Sequence, residues 1–238
     1  MSRLGIIAAL PAEAKCLHNK KLNVALPIEI QKDIFLCLSG IGYDAAYRAA
    51  KKLLALKVDA LISWGVAGAI DTSLDSCDLI LAESIINQDK TYKTYNDWLN
   101  KISEHFQQTP YNVLCGDIAS SSDICSSAID KKRLSQNTNA LAVDMESAAI
   151  AEAATINKLD FLVIRTIADK AETNIPEAVI NHTDYLGKPR LLRFVFSCIS
   201  KPAQIRDIFV LAKSYQRGLN TLTGIVPDLK NQHFFYSS

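Results

Sequence analysis

The sequence predicts an α/β sandwich whose sheet is mostly parallel or mixed, and two observations carry that expectation. Short apolar runs recur at residues 4–10, 34–38, 60–64, 79–82, 113–115, 141–145 and 161–167. Several are apolar on both faces, which suits strands covered by helices rather than strands with a wet side. Between them lie helical periods, clearest at residues 45–57 and 147–154. Such alternation defines layered α/β architectures.

Taken in order, the first run ends at the turn-like pair Leu10-Pro11, with Glu13 just beyond. The second leads into L-S-G-I-G-Y-D, where Gly40 and Gly42 punctuate the run and Asp44 is placed to cap the first clear helix. The third leads into W-G-V-A-G-A, with Gly65 and Gly68, and the fifth into Gly116. Glycine after an apolar strand allows a sharp turn or a close ligand approach. Ligands of open α/β sheets bind at the carboxyl ends of the strands. Neither glycine segment has the G-x-G-x-x-G spacing or the lysine of a phosphate-binding loop. No internal repeat and no long linker interrupts the chain before residue 180.

The 238 residues, 49% apolar and 21% charged, give enough chain for one full core. A net charge of +1 makes no electrostatic case for nucleic acid. Four histidines and six cysteines are scattered without C-x-x-C or H-E-x-x-H spacing, so no metal and no cofactor is expected. The cysteines read as small apolar fillers in a reducing compartment. The first apolar run is too short for a signal peptide, and no uncharged run reaches membrane-span length. A cytoplasmic protein is the expectation.

Acids gather where this geometry matters. Glu13 follows the first run, Asp144 and Glu146 close the run at 141–145, and Asp169 lies just past F-L-V-I-R-T-I-A. Singly, each reads as a helix-start acid or cap. Together they describe a cleft lined with carboxylates, as general acid–base chemistry requires.

Six segments in this order resemble the nucleoside phosphorylase and nucleosidase superfamily, in its methylthioadenosine/adenosylhomocysteine nucleosidase-like branch. They are G-I-I-A-A-L-P-A-E from Gly5, S-G-I-G from Ser39, W-G-V-A-G-A from Trp64, C-G-D from Cys115, A-V-D-M-E-S-A-A-I-A from Ala142 and V-I-R-T-I-A-D from Val163. The resemblance implies a single-domain, three-layer fold with a central mixed, strongly twisted sheet flanked by helices, assembled as a homo-oligomer, most simply a dimer. It further implies roles. Asp169 resembles the acid that protonates N7 of a departing purine. Glu146 resembles the carboxylate that holds the ribose 2′- and 3′-hydroxyls, with Met145 packed beneath the sugar. Glu13 resembles the carboxylate that activates water at C1′. Val66 and Gly68 fall in the segment that meets the substrate. Asp144 stands where many nucleosidases have glutamate, and its shorter arm shifts the geometry.

The chemistry asks for such groups independently. Adenine is a poor anionic leaving group, and protonating a ring nitrogen lets it depart neutral. The sugar gains oxocarbenium character that nearby carboxylates stabilise. Water is favoured over phosphate as nucleophile. Val66 stands where phosphate- or ribose-contacting members often carry serine, Arg48 sits on a helix, Arg165 lies inside a strand, and Glu13 would repel an anion. A non-catalytic nucleoside-binding protein of the same fold is the alternative from another class.

The first 180 residues read as the core and 181–238 as a helical extension packed on the same domain. From Lys188 to Arg217 seven basic residues face one acid, Asp207, and two apolar bands run through residues 191–199 and 205–211, with Pro202 placed to open a helix. Two amphipathic helices packed on the sheet explain this pattern. So does a basic, apolar lip that touches anionic lipid at the inner face of the membrane or admits a greasy substrate. The tail resembles hopanoid-associated members of the superfamily, for which the implied substrate is the lipid nucleoside adenosylhopane. Methylthioadenosine or adenosylhomocysteine is the alternative, followed by a phosphate-dependent purine phosphorylase.

Overall fold

The structure is a computed structural model that describes residues 3–176, 186 and 203–231. Along these residues the order is β1 (Leu4–Ala8), α1 (Pro11–Leu17), β2 (Ile28–Gln31), β3 (Ile34–Leu38), α2 (Tyr43–Leu54), β4 (Ala60–Ala69), β5 (Leu79–Asn87), β6 (Lys90–Lys93), α3 (Asn96–Phe106), β7 (Val113–Ser120), α4 (Ala128–Thr138), β8 (Ala142–Asp144), α5 (Ser147–Ile156), β9 (Asp160–Asp169) and α6 (Ala203–Asn231).

Every residue of β1 and β3 is buried, as their two-sided apolar runs demand. β1 pairs in parallel with β3 and β4, and β4 runs parallel to β9 along almost its whole length. β9 then pairs antiparallel with β5, β5 parallel with β7, β7 parallel with β8, and β8 antiparallel with the end of β4. The mixed sheet therefore closes on itself through β4, β9, β5, β7 and β8, leaving β2, β3 and β1 as an open wing. Gly68 is opposite Asp169 on one side and Val143 on the other. That register brings the ends of β4, β8 and β9 to one rim of the closed part.

One core lies between the sheet and the pair α2–α5, built on Ala46, Ala49, Leu53, Ala149, Ile150 and Ala153. Alanine on both helices lets them approach each other and the sheet closely. The other core lies under α1, α3 and α6 and contains Leu17, Trp98, Ile102, Phe106, Leu222 and Ile225. Burying a leucine or isoleucine side chain contributes roughly 1.5–3 kcal/mol, so Leu222, Ile225 and Leu229 hold the second half of α6 firmly on the core.

Several local expectations are corrected. Asp44 does not cap α2, because the helix begins two residues earlier than expected, at Tyr43 with Gly42 as N-cap, leaving Asp44 in the first turn. Gly42 has φ +96°, a conformation that L side chains rarely adopt, so the entry to α2 needs glycine. Gly65 and Gly68 lie inside β4, which continues to Ala69 rather than turning after Trp64. Cys115 is exposed rather than a core filler, whereas Cys37 is buried; the five described cysteines are free thiols. In the tail, the 180/181 boundary, the first apolar band and Pro202 lie outside the described residues. Ile208 and Leu211 of the second band face inward, and Phe209 is 71% exposed. Among the described residues no helix is long and apolar enough to cross a membrane.

Candidate active site

A cavity of about 690 Å³ opens at the rim where β1, β4, β8 and β9 end. Its lining includes Glu13, Val66, Gly68, Asp144, Met145, Glu146 and Asp169, so every sequence-predicted site residue reaches one space.

Glu13 is placed by the turn after β1 and the first turn of α1. Its carboxylate accepts the backbone N–H of Leu10 at 2.8 Å and of Val66 at 2.9 Å. The side chain is only 3% exposed, and burial pushes its pKa up against the Arg165 charge and these N–H donors. It is an oriented carboxylate suited to accept a proton. Val66 thus acts through its backbone, and its side chain forms part of the cavity wall.

Asp169 closes β9. It is buried beside Gly68, where a Cβ would come within 3.3 Å of both carboxylate oxygens. Its carboxylate is gripped by the ammonium of Lys131. Burial raises the Asp169 pKa, and the lysine beside it works in the opposite direction.

Glu146, half-buried at the start of α5, accepts the N–H of Gly42 at 2.7 Å. Its pKa is pushed up to about 8, first by burial and then by repulsion from Asp144. Met145 lies beside it in the cavity wall.

Asp144 has a different setting. It accepts Nε of Arg165 at 2.9 Å, the Ser147 hydroxyl, the Ser147 N–H at 3.1 Å and the Ser120 hydroxyl at 3.3 Å. Arg165 also donates to Ser63 Oγ at 2.6 Å, Ser147 Oγ at 2.9 Å and the Ile164 carbonyl at 3.2 Å. A buried ion pair this fully hydrogen-bonded is a scaffold under the floor of the cavity.

Apart from the exposed Lys15 and Asp123, the remaining wall is mostly apolar and includes Ile41, Ile124, Ile175 and Leu186, with Ile208, Leu211 and Tyr215 from α6. The Tyr215 pKa is raised by burial and by the nearby Glu13 charge. Among the described lining residues the cation is Lys15, which is exposed at the rim. Arg48 is exposed on α2 and outside the cavity lining. The described residues contain no group of histidine, cysteine or acid side chains fit to hold a metal.

Lys131, Ser63, Ser147 and Tyr215 were not anticipated. Lys131 sits in D-K-K-R, which reads as a solvated helix face, and nothing local marks it as buried. Arg165 carried a signal: a guanidinium within an apolar strand demands a buried acid, which Asp144 supplies.

A cleft lined by Glu13, Asp144, Glu146 and Asp169, with Asp123 exposed at its edge, on a partly closed α/β sheet defines a class before it defines a protein. The chain belongs to the phosphorylase superfamily, whose family profile matches residues 3–188. It is 26% identical to a 5′-methylthioadenosine/S-adenosylhomocysteine nucleosidase of Staphylococcus aureus over 214 residues, covering 78% of this chain and 92% of that one. Its identity to the protein of the same name from Staphylococcus epidermidis is 27% over 218 residues, 79% and 94% of the two chains. Among solved structures, a Helicobacter pylori nucleosidase mutant with 5′-methylthioadenosine in its active site shares the fold with a TM-score of 0.70 at 18% identity, over 96% of this chain and 100% of that one. Helicobacter pylori futalosine hydrolase does so with a TM-score of 0.68 at 20% identity, over 96% and 98%.

Proposed function

We propose that this protein is an N-ribosyl hydrolase that releases adenine from a 5′-substituted adenosine, and that its substrate is a small thio-nucleoside, methylthioadenosine or adenosylhomocysteine. The observation that carries the reading is the pairing of two buried carboxyl groups in one cavity: Glu13, fixed by two backbone N–H donors, and Asp169 at the rim strand. The names of the staphylococcal relatives support the thio-nucleoside over the lipid nucleoside.

In this mechanism Asp169 gives a proton to N7 as the C1′–N9 bond breaks and its electron pair leaves with the base. Glu146 accepts the ribose hydroxyls, and Met145 packs beneath the sugar. Water forms the new C1′–O bond and loses its proton to Glu13. Each acid or base of this kind supplies about 10²–10⁴-fold. Water is preferred to phosphate because the buried cations near the site are already engaged and Lys15 stands exposed at the rim. Arg165 is bound to Asp144, Ser63 and Ser147, and Lys131 to Asp169. A phosphate dianion would also stand against Glu13.

Adenosylhopane is the second reading, and one feature favours it. The apolar cavity wall continues along α6 towards Phe209 and Val210, which are 71% and 58% exposed. A peripheral membrane contact through this face, and a dimeric assembly, belong to the same proposal. The test is adenine release from methylthioadenosine, adenosylhomocysteine and adenosylhopane, each with and without phosphate. Release from the thio-nucleosides that is indifferent to phosphate is expected. Release only with phosphate would make the enzyme a phosphorylase, and preference for the lipid nucleoside would reverse the substrate assignment.

A further inference from the structure

Lys131 is a fully buried lysine on a helix whose neighbouring residues Asp130, Lys132 and Arg133 are all exposed. A buried ammonium is costly unless it is paired and hydrogen-bonded. Here Nζ has three partners for its three N–H groups: the Asp169 carboxylate, the Lys170 carbonyl at 2.8 Å and the Thr173 carbonyl at 3.1 Å. Three oxygen acceptors match the three N–H groups of a charged lysine.

The same contacts tie α4 to the strap that follows β9. Ala128 N–H donates to Asn174 Oδ1 at 2.8 Å, and Ile175 N–H to the Ser126 carbonyl at 2.8 Å. Ile175 then enters the cavity wall. One buried cation therefore fixes both the carboxylate at the rim and the strap behind it.

We propose that Lys131 is a positioning residue for the hydrolysis: it grips Asp169 and the 170–173 strap, holds the carboxyl group at the base-facing end of the cavity, and sets the pH range over which that group carries its proton. This rests on Asp169 being the acid of the proposed reaction. Among the described residues, the charged or titratable groups around the pair include the Cys125 thiol from the loop before α4, Asp130 on α4 itself and Lys170, whose own ammonium pairs with Asp75. Among the described charged side chains, Lys131 alone is bonded to the Asp169 carboxylate.

The sign follows from the role. An acid works while protonated, so activity falls as pH rises through its pKa. An opposite charge within contact lowers a carboxyl pKa by about 1–3 units. Removing the lysine charge should therefore move the alkaline limb of kcat/KM upward by about that much, while loss of positioning lowers kcat at the optimum.

The experiment is a set of pH profiles of adenine release for wild type, Lys131→Met, Lys131→Arg and Asp169→Asn. Lys131→Met should shift the limb upward, and Lys131→Arg, which keeps the charge, should lower kcat without the shift. Asp169→Asn separates the two ideas. If it keeps wild-type activity, the acid assignment itself fails. If it is inactive while Lys131→Met leaves the limb in place, the Lys131 proposal is overturned and the acid assignment stands. Lys131→Gln, with donors but no charge, gives the same reading if methionine is not tolerated. The wild-type protein supplies another: Nζ held by three acceptors should give a slowly exchanging ammonium signal that Lys131→Arg lacks. Its absence from wild-type NMR spectra overturns the proposal.

Discussion

A Cβ placed on Gly65 would stand 2.5 Å from Oε1 of Glu13 and 2.8 Å from its carboxyl carbon. The strand position is a glycine because a carboxylate occupies the space above it. Gly65→Ala must displace Glu13 from the Leu10 and Val66 N–H groups, while Glu146 and Asp169 stay in place. The expected result is a fall in kcat of about 10²-fold or more, the value of one general base, with KM for methylthioadenosine little changed. Steady-state kinetics beside a thermal melt decide it. A folded Gly65→Ala enzyme with wild-type kcat would remove Glu13 from the chemistry.

Glu146 carries a second expectation. Its pKa in the folded protein is raised to about 8 by burial and by Asp144, above the roughly 4.3 of an unfolded glutamate. The folded state then binds more protons than the unfolded state across this window, so the contribution to stability is complete below about pH 4.3 and is lost as pH rises towards 8. Glu146→Gln removes this dependence. Melting temperatures of the unliganded protein from pH 5 to 9 should fall less steeply in the variant, which should be the more stable of the two at pH 8. Its KM should rise by roughly 2–10-fold, since each hydrogen bond accepted by a neutral carboxyl contributes about 0.5–1.5 kcal/mol. Parallel melting curves for the two proteins would contradict the raised pKa.

Much of this was legible along the chain, and the reasons differ by element. Two-sided apolar runs announced β1, β3 and β9, because strands buried on both faces have no polar alternation to hide behind. The edge strands β2 and β6 escaped notice, since each is only four residues long with none of them buried, and neither offers an apolar run. Closure of the sheet escaped as well: it depends on β9 pairing with both β4 and β5, a choice made by non-local packing rather than by any local pattern. The acids Glu13, Glu146 and Asp169 stood out because carboxylates at the ends of apolar runs need a reason. Lys131 did not, because its burial arises from where α4 docks and leaves no mark among its charged neighbours.

The Asp144–Arg165 pair yields a stability prediction rather than a kinetic one. Both side chains are nearly fully buried, and each is bound by Ser147 as well as by the other. Arg165→Met leaves the Asp144 charge without its partner, and breaking a buried pair from one side costs about 3–5 kcal/mol. Urea unfolding at pH 7 should show a loss of that size. A loss below about 1 kcal/mol, typical of an exposed pair, would mean that water or a rearranged neighbour replaces the guanidinium.

The apolar wall from α6 should decide the 5′ preference. In the proposed reaction Glu146 and Asp169 hold ribose and base at the rim of β4, β8 and β9, which would leave the wall of Ile208, Leu211 and Tyr215 for the 5′ group. Leu211→Asp introduces a carboxylate into that wall without touching Glu13, Glu146 or Asp169. A mismatch in a hydrophobic subsite is worth about 1–3 kcal/mol, or roughly 10–200-fold. The kcat/KM for methylthioadenosine should therefore drop by at least about 10-fold, and that for unsubstituted adenosine by much less. The ratio of the two is the quantity to measure, because a general loss of folded enzyme cancels from it. An unchanged ratio would show that the 5′ group lies away from α6 and that this helix only closes the core.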